Sequence, residues 1–183
     1  SKSLGNAVNP LELKEKYGKD ALRYFLLREI PYGEDGDFSE EKFKERYTAD
    51  LTNGLGNFAA RVLALGEKHK DLSSQHGVEK EVNSKIKELR ELAALRTEEF
   101  RFHEALAAIW QLIAFGDEYV NTHTPWETND PDIIFNLIVM LDNTAAALAP
   151  YLPETAQRIT ESIIWSDDRL KVKKGKVLFP RLN

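Results

Sequence analysis

Seven apolar residues, Phe43, Tyr47, Leu51, Leu55, Phe58, Val62 and Leu65, follow one another at steps of four, four, four, three, four and three. A strand repeats every second residue, so only a helix puts this series on one line facing a core. Ser39 stands where an N-cap is needed, and the pattern predicts one long helix from there, bent near Asp50. A second series, Asp50, Asn53, Asn57 and Arg61, runs at steps of three, four and four. It lies ~100° round the helix from Leu51, Phe58 and Val62, at the edge of the buried side. Gly54 and Gly56 fall in mid-pattern, where each costs ~1 kcal/mol against alanine, and close approach of a backbone or a ligand is the expected reason. A polar ridge beside small residues makes a docking surface, although periodicity alone favours the plainer reading of a solvated face.

The rest of the chain divides into further helices. Asn9, Pro10 and Glu12 mark a helix start and Gly18 its stop. Asp20 to Glu29 is helical by spacing, and the glycines and aspartates of the following IPYGEDGDF make a loop. Past a polar connection at Asp71–Gly77, Val82 to about Glu99 and Phe102 to Val120 are two more helices. Asp130 and Pro131 open another, whose IIFNLIVML body is apolar on nearly every side, as in the centre of a bundle. Glu154 to Ile164 is the last helix, and the tail LKVKKGKVLFPRLN, with β-branched residues either side of Lys-Gly, forms a small hairpin or an extended strap.

Composition limits the chemistry. With no cysteine and four scattered histidines (His69, His76, His103, His123), neither a thiolate site nor an imidazole cluster assembles, so no metal is expected. A net charge of −5 rules out a general basic coat, so RNA would be held locally, partly by stacking. Basic residues do gather late, at Lys171, Lys173, Lys174 and Lys176. The longest apolar run, Leu137–Leu141, is short of the ~20 residues that cross a bilayer, and a soluble protein is expected. Trp110 lies on an apolar stripe and reads as core. Trp126 follows Pro125 between two helices, where an indole serves either as a lid on the bundle end or as a platform for a base. The residues alone do not choose between these.

Ser1-Lys2-Ser3 followed by Leu4-Gly5-Asn6 and the capped NPLEL helix resembles the second signature of class I aminoacyl-tRNA synthetases, Lys-Met-Ser-Lys-Ser, without its first two residues. The family's second lysine, matched by Lys2, stabilises the transferring phosphates of ATP, as a cation near developing negative charge would. That signature is common to several class I enzymes. The stretches DALRYFLLREIPYGEDGDFSEE, DLTNGLGNFAAR, PWE (Pro125–Glu127), APYLPETAQRI (Ala149–Ile159) and LFPR (Leu178–Arg181) resemble, in order and spacing, the methionyl-tRNA synthetase family. Ala7 and Asn9 stand where that family often has Val and Asp.

The resemblance implies an all-α fold: an antiparallel α-helix bundle that binds the anticodon, with a short connecting segment at the N-terminus and a short extended C-terminal tail. Residues 1–38 would hold the end of the signature loop and the connecting helices, and 39–183 the anticodon-binding domain. Asn57 and Arg61 would contact the CAU anticodon of methionine tRNA, chiefly its first base, and Trp126 would stack on that base. Lys2 would be the catalytic and ATP-binding residue. The nucleotide-binding domain and methionine pocket are missing, so this chain would not activate methionine and would hold no cofactor of its own. ATP with magnesium, and methionine, belong to the full-length enzyme, which is cytoplasmic and has no DNA or membrane partner. Against this stand another class I synthetase for an aliphatic amino acid, a free-standing RNA-binding helical module, and a helical scaffold that binds protein through the polar row.

Overall fold

The computed structural model describes residues 9–30, 32–33, 38–167 and 169–182. Lys2 and the signature loop lie outside them. Over the described residues the chain is an all-α bundle with a two-stranded sheet near its end. Helix α1 (Pro10–Tyr17) starts as its sequence requires: the Asn9 side chain accepts from the Leu11 N–H, and Gly18 ends it at φ 90°, a conformation open to glycine. Helix α2 (Lys19–Glu29) follows and is stitched to the end of the bundle. Arg23 donates to the carbonyls of Tyr151 and Pro150, and buried Asp20 accepts from the Thr155 N–H at 2.7 Å.

The long helix is a rod of three parts. Ser39 caps α3 (Glu40–Arg46) by accepting from the Lys42 N–H, a π-helical segment runs over Tyr47–Gly56, and α4 covers Asn57–Lys68. All seven residues of the apolar stripe are buried. The expected bend near Asp50 is instead ten residues of wider helix. At its end the Asn57 N–H reaches the Thr52 carbonyl five residues back, the bonding that defines a π-helix. Two consequences correct the sequence reading. Asp50 leaves the polar row and turns toward α2, where it accepts from the Tyr24 hydroxyl at 2.7 Å and from Arg46 at 3.3 Å. Gly56 is needed for backbone room and not for a ligand, because a Cβ there would lie 2.8 Å from the Leu51 carbonyl oxygen.

Helices α5 (Lys80–Glu98) and α6 (Phe102–His123) form an antiparallel pair, and α8 (Pro131–Leu148) packs against α4, α5, α6 and α9 (Pro153–Ser162). Asp130 caps α8 by accepting from the Asp132 N–H. By length and composition α8 could cross a membrane, which corrects the expectation that no segment is apolar enough; its enclosure by four helices gives it the role of core helix. Trp110, on α6, packs against the core without being fully enclosed, its ring centroid 4.4 Å from that of Tyr24.

The tail realises both expected forms, shifted in sequence. Helix α9 ends at Ser162, and β1 (Ile163–Ser166) pairs antiparallel with β2 (Arg169–Val172), so the hairpin turns near Asp167 and not at Lys174-Gly175. Beyond it the chain runs extended across the bundle. Arg158 donates to the carbonyls of Lys176, Val177 and Leu178, the Lys174 N–H donates to Glu67, and buried Phe179 packs edge-on against Tyr47.

Candidate nucleic-acid interface

Helix α6 ends at Thr124, whose backbone is left-handed at φ 41°, and Asn129 closes the next turn at φ 50°. Such values are unfavourable for a β-branched threonine, so the conformation is imposed by its surroundings. Between these corners the chain forms one helical turn, α7 (Pro125–Thr128), tied by the Glu127 N–H to the Thr124 carbonyl at 2.8 Å. Trp126 therefore sits on a short helix and not in an irregular loop. Proline at its first position, where no N–H is required, explains why four residues suffice.

Trp126 is 48% exposed. It neither seals the core nor hangs free, for the Arg61 guanidinium lies over its ring, 5.6 Å from the centroid. That separation is within reach of a cation–π attraction. Arg61 is held from the other side by α6, donating from Nη1 to Asp117 Oδ1 at 3.2 Å and from Nη2 to Asn121 Oδ1 at 2.8 Å. Burial raises the Asp117 carboxyl above the usual carboxylate range, and the Arg61 charge and hydrogen bond offset this only in part.

Asn57, one helical turn before Arg61, is exposed, and among the described residues its amide makes no hydrogen bond. Asn53 is exposed in the same way. The fold thus brings Arg61 and Trp126 into contact from residues 65 positions apart and leaves Asn57 beside them with a free donor and acceptor. Asp117 and Asn121 were not singled out from the sequence. Their spacing of i, i+4 puts them on one edge of α6, but nothing in the sequence sets that pair apart from the other polar residues of the helix.

Residues 1–63 match the family model described as tRNA synthetases class I (M). Along its whole length the chain is 35% identical to the methionine–tRNA ligase of Bacillus subtilis (strain 168) and 35% identical to that of Clostridium acetobutylicum, spanning 32% of each. Its fold superposes on Mycobacterium tuberculosis methionyl-tRNA synthetase bound by methionyl-adenylate with a TM-score of 0.85 at 27% identity, covering 98% of this chain and 41% of that one. The chain belongs to the methionyl-tRNA synthetase family. It spans about a third of the length of the curated relatives it matches. The class I model reaches only as far as Leu63 in α4, whereas the methionine–tRNA ligase relatives align through the Trp126 turn and the C-terminal strap.

Proposed function

We propose that this chain is the anticodon-binding part of a methionine–tRNA ligase and that it recognises the CAU anticodon of methionine tRNA. The division at residue 38 belongs to the same reading, with residues 1–38 linking the bundle to a catalytic domain and residues 39–183 meeting the RNA. The first anticodon base, a cytosine, stacks on the exposed face of Trp126, an interaction worth ~1 to 3 kcal/mol. Asn57 offers its amide to the base edge, and Arg61, held by Asp117 and Asn121, supplies positive charge. Selection follows from hydrogen bonding, since a wrong base leaves polar groups unpaired in a desolvated contact.

The whole enzyme joins methionine to tRNA using ATP with magnesium, in the cytoplasm. Lys2 would steady the phosphates of ATP there, and this chain by itself would not activate methionine. The observation that carries the reading is the half-exposed indole of Trp126 under the Arg61 guanidinium, with the Asn57 amide unengaged one turn away. The test is titration with anticodon stem-loops that differ only in the first anticodon base. Tighter binding of the cytosine form, with the preference lost in Asn57→Ala, is expected; equal affinity for all four bases overturns it.

A further inference from the structure

Residues 169–183 carry six lysines and arginines and no acid, so with the whole chain at −5 the other 168 residues carry −11. Charge this uneven in an acidic protein marks a surface for an anionic partner. Several of the helix cations are instead paired with neighbouring acids, as in Lys44 with Glu40, Arg46 with Glu29 and Lys85 with Glu88. Arg169, Lys171, Lys173 and Lys176 are exposed, and among the described residues none makes an ion pair.

These cations are held on a rigid base. The Leu170 N–H donates to the Leu72 carbonyl at 2.9 Å and the Lys173 N–H to the Ser162 carbonyl at 2.9 Å, while Arg158 binds three successive carbonyls beyond. Arg169 and Lys171 point to the outer face of β2, opposite Ser166 and Ile164, and repeat every ~6.6 Å along it. That interval is comparable to the separation of successive phosphates along a nucleic-acid strand.

Helix α4 leads from the Trp126 site, at Arg61, to the hairpin, where it packs on β2. Lys68 is seven residues beyond Arg61 on α4, within ~20° of the same azimuth. It and Lys70 border a recess of about 340 Å³ that Pro131, five residues from Trp126, also lines. The segment after Lys70 then pairs with the hairpin, Ser73 bridging to Arg169. Asp71 and Glu67 interrupt the track, and Glu67 is occupied by the Lys174 N–H.

We infer that Lys68, Lys70, Arg169, Lys171 and Lys173 form a track for the ribose-phosphate backbone of an RNA stem whose loop base lies on Trp126. The track rests on the anticodon reading for its register but not for its chemistry: it contributes affinity without base preference, through release of counterions. The test is a triple variant, Lys68→Ala, Lys70→Ala and Lys171→Ala, titrated at several salt concentrations with CAU and first-base-substituted stem-loops.

The expected result is an equal loss of affinity for both RNAs, at least about tenfold at low salt, with their ratio unchanged and the slope of log K against log salt shallower by about 2 or more. Unchanged affinity and slope overturn the track, as does loss of binding to phosphatidylserine vesicles with RNA binding intact. A parent protein that shows no base preference, yet loses affinity and slope in the triple variant, overturns the anticodon reading and leaves the track standing. Charge-conserving arginines at the three positions restore binding if charge is what acts.

Discussion

The long rod meets one tryptophan at Gly54 and another at Arg61, two turns further on, and the two contacts differ in kind. In the π-helical segment, Trp110 lies against Tyr24, and a Cβ on Gly54 would sit 3.5 Å from its Nε1. The indole N–H is buried there with no hydrogen-bond partner. In the α-helical segment that follows, Trp126 keeps 48% of its surface in water and meets a guanidinium. The same side chain closes a seam at one contact and presents a face at the other. What separates them is the neighbouring helix: α6 is long and packed along the rod, whereas α7 is a single turn between two left-handed residues.

The sharpest way to break this comparison is to truncate both rings. Trp110→Ala should cost ~3 kcal/mol in urea unfolding, the low end for a tryptophan because the ring is not wholly enclosed. RNA affinity per folded molecule should hold. A stable Trp110→Ala protein that no longer binds RNA would reverse the roles assigned to the two rings.

Gly56→Ala probes the rod between them. The added methyl would press on the Leu51 carbonyl, a backbone atom that cannot swing aside, so the variant should lose ~1 to 2 kcal/mol despite alanine's better helix propensity. A gain in stability would mean that the π-helical segment relaxes to an α-helix without cost. Trp126→Ala should reduce binding of a CAU stem-loop by ~1 kcal/mol or more while its unfolding free energy changes less than that. Loss of stability with unchanged RNA affinity would make Trp126 a lid after all.

Asp117→Asn should give the smallest effect. Burial raises the folded-state pKa of this carboxyl, so between its unfolded and folded values the native state holds more protons. Its contribution to stability therefore falls as pH rises from the ordinary carboxylate range through the raised value. The Asn variant lacks that decline and still accepts from Arg61, so it should be slightly the more stable near neutrality and lose the advantage in acid. Unfolding curves from acid to neutral pH check this, and a parent protein that gains on the variant as pH rises would contradict it.

Much of the bundle was legible because its signals are local. Asn9 and Ser39 cap their own helices, Gly18 ends one, and the buried stripe follows from spacing alone. Even the π-helical segment left a trace. From Phe43 to Leu55 the apolar stripe steps by four each time, wider than an α-helix wants, and after Leu55 the steps return to three and four. A run of fours also fits a slowly drifting α-helical stripe, so spacing alone predicts a bend there.

The candidate site divides in the same manner. Asn57 and Arg61 share a face by spacing, but the contact of Arg61 with Trp126, and its grip by Asp117 and Asn121, depends on how α6 packs on α4. No spacing within one helix carries that information. The displaced hairpin has a similar cause. Ile163 and Ile164 continue a helical pattern on paper, yet Ile163 pairs with Val172, and β2 in turn lies on Gly66 of α4, where only a bare backbone admits Val172 so closely.

The amino-acid order by itself determined the caps, the stripe, the helices and the uneven charge, because each is decided by residues within a few turns of one another. Tertiary packing decided which tryptophan faces water, which carboxylate holds Arg61 and where the tail turns. Those outcomes depend on surfaces that meet across dozens of residues, and the free energy of a buried charge or ring is set by what lies against it.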